Sequence, residues 1–339
     1  MEDTTQDKLV TWYKENTFHY KDFIRIHRLV KKKKQQNLTI GVCVPTKNEE
    51  ATIFEIVKKI KDELMIKESL IDQLIVLDSD SEDNTAKLAR KAGAKVYEVH
   101  KILPSIKFKE FPKWGKGENI WKSIYVLDTD IIVWVDGDIE NFSNRFVYGL
   151  LGPLLNKPDL GFVKGFYRRP IRIDGVLHSV GGGRVTELCL RPILNTFYPE
   201  LTRILQPLAG EYAIRREIIE QIPICVNYAV ETCMLIDIYK KWGLSVIGQV
   251  DLKERIHRNS PLSHLSKLSF GIMQAVFNRL DIHKKVRLLR EPKWQEGGYD
   301  FKSIKIIEDQ RPAINEIKEY QNKFKNREVK WPNKVQINR

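Results

Sequence analysis

The sequence predicts an α/β protein built on a parallel, doubly wound sheet, and three observations carry that prediction. Short apolar runs rich in Val and Ile recur between residues 39 and 140. Apolar residues repeat at helical spacing between those runs. Each run ends in a polar, turn-forming cluster, as strand–helix–strand units with short connections require. Ligands of such sheets collect at the carboxyl ends of the strands, so those clusters are where function is sought.

The elements follow in chain order. Residues 8–30 read as an aromatic-rich amphipathic helix or helix pair carrying Trp12, Tyr13, Phe18, Phe23, Ile26 and Leu29. The block LVKKKKQQN, residues 29–37, reads as a solvated basic linker. LTIGVCVPTKNEE is a strand ending at Pro45, and Ile53, Ile56, Val57, Ile60 and Leu64 then recur as a helix would place them. DQLIVLDSDSEDNT is a second strand with a polar end. Ala86, Leu88, Ala89 and Ala92 continue as a short helix closed by Gly93, and AKVYEV is a third strand. A loop over residues 100–116 precedes a helix from Gly117 to Leu127. IIVWVDGD, residues 131–138, has the β-branched and aromatic density of a buried strand. The second half contains strands near 160–166 and 245–250 and helices near 184–197, 211–221, 230–242 and 261–280. In the last helix Ser260 suits the N-cap, Pro261 the first turn, and Leu262, Leu265, Ile272, Val276 and Leu280 line one face. The tail from residue 313 reads as a charged helical extension.

Composition narrows the function. No apolar stretch reaches the roughly 20 residues of a membrane helix, and MEDTTQDKLVTWYKENTF has no secretory apolar core, so a cytoplasmic protein without a membrane partner is expected. Cys43, Cys189, Cys225 and Cys233 lack C-x-x-C spacing and are expected to be reduced, buried residues. The net charge of +13 invites a nucleic-acid reading, but the charge is scattered and no RNP-like, zinc-finger or helix-turn-helix pattern accompanies it. An enzyme that handles several phosphates at once also favours a positive field.

Three strand ends carry the chemistry. Asp136-Gly137-Asp138 is open to three readings: a chance acidic turn, a charged N-cap, or a site for a hard divalent cation. Its place after an apolar strand favours the third. VPTKNEEATI, residues 44–53, is either a capped strand-to-helix connection or a turn that meets a base and ribose, with Glu49 accepting from a hydroxyl. LDSDSEDNT, with Asp78, Ser79, Asp80 and Ser81, poses the same choice. Further along, GGGRVTE suits an anionic group, or is a connector with a solvent-facing Arg184. Lys116 between two glycines can approach phosphates or be solvated. Glu231 is a functional acid or a first-turn acid complementing the dipole. His257 is a surface histidine or a metal ligand. Arg168 and Arg169 could meet an acceptor phosphate or form surface ion pairs.

Together these three segments resemble the nucleotide-sugar half of a GT-A glycosyltransferase. The downstream segments GKGENIW (115–121), LLGPLL (150–155), KGFYRRPI (164–171), GGGRVTEL (181–188), ILQPLAGEYAIRRE (204–217), YAVETCMLID (228–237) and KERIHRN (253–259) resemble the glucosyl-3-phosphoglycerate synthase family over residues 10–315. The resemblance implies a GT-A-like fold, a Rossmann-type nucleotide-binding sheet joined to a smaller acceptor-binding α/β region. It implies retaining transfer of glucose from UDP-glucose to 3-phosphoglycerate, with Mg2+ (or Mn2+ or Co2+). A homodimer is expected, since the aromatic N-terminal segment and the apolar second-half helices could supply its surface, and no nucleic-acid partner is. Pro45, Thr46, Asn48, Glu49 and Ser79 would meet the uridine, and Lys116 the phosphates. Asp136, Asp138 and His257 would hold the metal. Glu231 would hold the glucose, and Gly183, Arg184, Thr186 and Asn259 the phosphoglycerate. Asp136, Asp138, Glu231 and Lys116 would form the catalytic set. The family usually has Ser between the two aspartates, where this chain has Gly137.

On this reading residues 1–38 are an N-terminal helical segment and basic linker, 39–140 the nucleotide-sugar half, 141–312 the acceptor half and 313–339 the charged extension. Alternatives are a GDP-mannose donor, a free glycerate acceptor, or a non-catalytic nucleic-acid-binding protein. A nucleotidyltransferase would want a basic Gly-rich loop where VPTKNEE is acidic.

Overall fold

A computed structural model describes residues 2–106, 115–173, 176–257, 260–282, 288–295, 298–306 and 308–331. Its centre is a sheet of eight strands: β1 Thr17–His19, β2 Ile40–Thr46, β3 Gln73–Asp78, β4 Lys95–Glu98, β5 Ile131–Trp134, β6 Phe162–Arg168, β7 Tyr212–Arg215 and β8 Ile247–Glu254. The spatial order is β1-β8-β6-β7-β5-β2-β3-β4. All neighbours run parallel except β7, which is antiparallel to both β5 and β6.

Burial on both faces explains the near-continuous apolar runs. On one face Cys43, Ile75, Leu77 and Trp134 pack against Trp121 and Ile124 of the helix Lys116–Val126. On the other, Val42, Val44, Val76 and Val133 pack against Ile53, Ile56 and Ile60. The helices expected near 230–242 and 261–280 are present as Val230–Trp242 and Leu262–Arg279.

Several expectations are corrected. The lysine block is not a linker: it is the second half of a helix, Ile26–Gln35, in which Leu29 and Lys33 share the buried face at i, i+4 spacing. Lys33 Nζ reaches Asp72 Oδ1 at 2.6 Å, while Lys31, Lys32 and Lys34 face outward. Residues 211–221 hold no single helix, because Tyr212–Arg215 is claimed by pairing with strands on both sides and only Arg216–Ile219 turns helical. The hairpin Leu288–Gln295 with Gly298–Lys305 was not foreseen. Cys225 and Cys233 are joined by a disulfide, because the strand Ile224–Cys225 runs beside the helix that starts at Val230; Cys43 and Cys189 are free.

The tail from residue 313 to residue 331 is packed against the rest of the chain. Ile314, Tyr320 and Trp331 are buried, Trp331 Nε1 donates to the Pro158 carbonyl at 3.0 Å, and Arg327 and Lys330 both reach Asp130. Among the described residues no helix is long and apolar enough to cross a membrane.

Candidate active site

The strand ends meet at a cleft of about 900 Å³. Every predicted site residue lines it except Asn259, which lies outside the described residues. Its near wall is two turns sewn together. The Asn48 N–H donates to Ser81 Oγ, Glu82 N–H donates to Asn48 Oδ1, and Glu49 N–H donates to Thr85 Oγ1. Asn48 takes a φ of 56°, a left-handed conformation that asparagine tolerates. Behind them Ser79 shares hydrogen bonds with the buried Asn119.

Asp136 and Asp138 leave β5 at the centre of the cleft. The Thr52 hydroxyl holds the intervening Gly137 carbonyl at 2.5 Å. A Cβ on Gly137 would lie 2.8 Å from the Thr46 methyl, so glycine here matches the close packing of the two turns. The glycines around Lys116 have a similar reason. A Cβ on Gly117 would collide with the Cys225 carbonyl at 1.7 Å, and one on Gly115 with Asn227 Oδ1 at 2.3 Å. Lys116 is thereby pressed against the far wall with Nζ 2.7 Å from Asp136 Oδ1 and 2.8 Å from Glu231 Oε1.

Arg255 completes the ionic centre. Its Nη2 lies 3.0 Å from Asp136 Oδ2 and 2.5 Å from Asp138 Oδ1, and its Nε faces Glu211 Oε1 at 3.4 Å. Glu211 is fully buried and accepts from the Tyr167 hydroxyl at 2.5 Å. Burial alone would raise the Asp136 carboxyl, but Lys116 and Arg255 outweigh it and hold the group well below the usual carboxylate range. Burial, which would lower Lys116, is likewise overcome by Asp136 and Glu231, so its ammonium is retained. Burial pushes Glu211 up, against the pull of Arg255.

Elsewhere in the cleft lining Gly183 has a φ of 80° and open space where a Cβ would stand. Arg184 Nη2 donates to the Ser260 carbonyl at 2.9 Å, and Thr186 is buried at the start of the following helix. Arg169 also lines the cleft, with Nη2 3.0 Å from His257 Nε2. Arg168 points out and pairs loosely with Glu254. Burial, aided by Arg255 and Arg169, pushes His257 down to about 4, so its ring is neutral near pH 7.

The donors suit a hard divalent cation. Two carboxylate oxygens of Asp136 and Asp138 converge on one point, the position of Arg255 Nη2, and the neutral His257 keeps a buried Nδ1 with no hydrogen-bond partner. Among the described residues no three such side chains close on a single point, because His257 turns Nε2 to Arg169.

Sequence reasoning missed Arg255, Glu211 and Asn119 as site residues. Arg255 follows a bulge in β8 between Asp251 and Glu254, with Lys253 at a φ of 76°. A bulge re-aims the side chains beyond it, so strand alternation gives no warning of where Arg255 points.

Glycosyl transferase family 2 matches residues 41–181. Glucosyl-3-phosphoglycerate synthase of Petrotoga mobilis is 46% identical over 321 residues, 93% of this chain and 98% of that protein. The protein of the same name from Mycolicibacterium smegmatis is 44% identical over 244 residues, 72% of this chain and 78% of that one. Among solved structures, mannosyl-3-phosphoglycerate synthase from Rubrobacter xylanophilus superposes with a TM-score of 0.81 at 33% identity, covering 91% of this chain and 99% of that one. Glucosyl-3-phosphoglycerate synthase from Mycobacterium tuberculosis in complex with Mn2+, UDP-glucose and phosphoglyceric acid gives a TM-score of 0.77 at 36% identity, with 88% and 98% covered.

Proposed function

This chain belongs to the glucosyl-3-phosphoglycerate synthase family of GT-A glycosyltransferases, and from that premise we propose that it moves glucose from UDP-glucose to the hydroxyl of 3-phosphoglycerate with retention. The observation that carries the proposal is the convergence of Asp136, Asp138, Lys116 and Glu231 in one cleft that Arg184 and Thr186 also line.

The bond that breaks joins the anomeric carbon to a phosphate oxygen, and the bond that forms joins that carbon to the acceptor oxygen. Negative charge gathers on the departing diphosphate. Asp136 and Asp138, with His257 beside them, would hold a divalent cation, which supplies charge neutralisation there. Lys116 adds a fixed cation within a buried, preorganised network, where it stabilises the transition state more than it would in water. Glu231 accepts from glucose hydroxyls and fixes the sugar. Pro45, Thr46, Asn48, Glu49 and Ser79 form the uridine wall. Gly183, Arg184, Thr186 and Asn259 receive the phosphoglycerate, whose phosphate alone carries about −1.5 to −2 charge. Glu231, the nearest candidate for a nucleophile, is tied to Lys116 and serves the sugar instead. Attack therefore comes from the face the phosphate leaves, and the departing phosphate oxygen takes the acceptor proton.

The test is release of UDP from UDP-glucose in the presence of 3-phosphoglycerate. EDTA abolishes it and added Mg2+ or Mn2+ restores it; release unaffected by chelation sinks the metal assignment. The likeness to a mannosyl-3-phosphoglycerate synthase favours GDP-mannose as the second reading for the donor, and a nucleotide-sugar panel decides between them. The division at residues 38, 140 and 312, a cytoplasmic homodimer and the lack of a nucleic-acid partner belong to the same reading. Light scattering and a salt-dependent RNA or DNA shift assay check the last two.

A further inference from the structure

Lys164 stands in the middle of β6, fully buried, and the function above does not use it. Its Nζ makes one hydrogen bond, donating to the Ala209 carbonyl at 2.9 Å, and no carboxylate lies within ion-pair distance among the described residues. The ammonium lies over the rings of Tyr212 and Phe162, 4.9 and 5.6 Å from their centroids. Burial, aided by Lys116, pushes it down to about 8 against the pull of Glu231, Glu211 and Asp136. A strand centre gains nothing from such a residue, because an apolar side chain of similar length would fill the space without desolvating a charge.

What Lys164 holds is the turn from Gln206 to Gly210. That turn lies directly behind the ionic centre: a Cβ on Gly210 would be 2.2 Å from Asp136 Oδ2 and 2.5 Å from Lys116 Nζ. Leu208 of the same turn lines the cleft. A short outward movement of the Ala209–Gly210 backbone would therefore push Asp136 and Lys116 out of register. Beyond Lys164, the turn's ties are a Gln206 amide bond to the Tyr167 carbonyl and the contact of Gly165 N–H with the Glu211 carbonyl.

We propose that Lys164 is a positioning residue that sets the donor side of the cleft through the Ala209 carbonyl, fixing the turn against which Asp136 and Lys116 are seated. The proposal rests on the sugar-transfer reading for its kinetic consequence, but not for its binding consequence. Removing the bond leaves the packing of the stem intact and loosens the diphosphate end alone.

The experiment compares wild type with Lys164→Met, which keeps the chain length and removes the donor. The expected result is a Tm equal to or above wild type and a kcat lower by up to about a hundredfold, the loss that a misplacement of about 1 Å can cause. The KM for UDP-glucose rises severalfold and that for 3-phosphoglycerate stays within twofold. Calorimetry with UDP and Mn2+ shows the same weakening without any turnover. Should the Met variant not fold, Lys164→Leu, which also lacks a donor, is judged by the same split. Unchanged kinetics and UDP binding overturn the proposal, as does an equal loss for both substrates accompanied by a lower Tm. If wild type itself transfers no sugar, the reading of function fails instead, and the calorimetric comparison still decides the role of Lys164.

Discussion

Arg184 lines the same cleft, half-buried, with one guanidinium nitrogen on the Ser260 carbonyl and, among the described residues, no acid paired with its other donors. That is the arrangement a phosphate or carboxylate ligand needs, since a guanidinium pairs with either through two parallel bonds. Arg184→Ala is expected to raise the KM for 3-phosphoglycerate at least tenfold, equivalent to about 1.4 kcal/mol, while the KM for UDP-glucose moves less than twofold. Steady-state kinetics with each substrate varied in turn checks it, and equal losses for both would count against the assignment. The contrast with Lys116 is instructive. Lys116 is sandwiched between two acids in a buried network, where removing one partner leaves a charge uncompensated. Its loss would therefore damage folding and chemistry together, whereas Arg184 separates the two.

Among the elements, the loop from Val226 to Ala229 shows how the site is braced from behind. The disulfide ties its start at Cys225 to Cys233, the Val226 carbonyl accepts from Glu118 N–H at 3.0 Å, and Asn227 N–H donates to Glu308 Oε1 at 3.1 Å. Tyr228 of this loop lines the cleft edge-on to His264. Burial pushes the Glu308 carboxyl up to about 8, against the Asn227 hydrogen bond and Arg279. The folded protein thus binds a proton at Glu308 that the unfolded chain releases near the ordinary carboxylate value of about 4.3. Stability from this group is present below that value and is lost as pH rises through 8. Glu308→Gln keeps the acceptor and removes the titration. Its Tm is expected to fall less than that of wild type between pH 5 and pH 8, and parallel Tm curves for the two proteins would refute the account.

For the whole molecule, the C-terminal segment decides whether the sheet has a closed back. Arg216, fully buried, gives its donors to the carbonyls of Ile124, Leu127 and Thr129 and to the Tyr320 hydroxyl, so the strap is joined to the core through β7 and its short helix. Trp331 is buried at the far end of the strap beside Gly161. Trp331→Ala is expected to cost about 3–5 kcal/mol, read as a lowered midpoint in urea with little change in KM. A midpoint within error of wild type would mean that the strap does not contribute to stability.

Much of this was legible beforehand, and the physical reason is locality. Residues 40–46, 73–78 and 131–134 announce their strands because a buried parallel strand must be apolar on both faces. Their polar ends announce the cleft because the topology of such sheets leaves ligands nowhere else to gather. Asp136 and Asp138 are candidates because they end such a strand, whereas Lys116 and Glu231, at helix starts far apart in the chain, are named only by the family resemblance of their segments. Other features depend on partners distant in sequence. Tyr212–Arg215 is a strand only because β5 and β6 lie on either side of it. Cys225 meets Cys233, and Trp331 meets Pro158, only once the chain has closed. Arg255 reaches the two aspartates through a bulge that no periodicity encodes. The sequence by itself determined which groups are candidates for the chemistry. Their spacing, and the buried charges that sustain it, were decided by tertiary structure alone, because a charge is tolerated in the interior only where the whole fold delivers its partner.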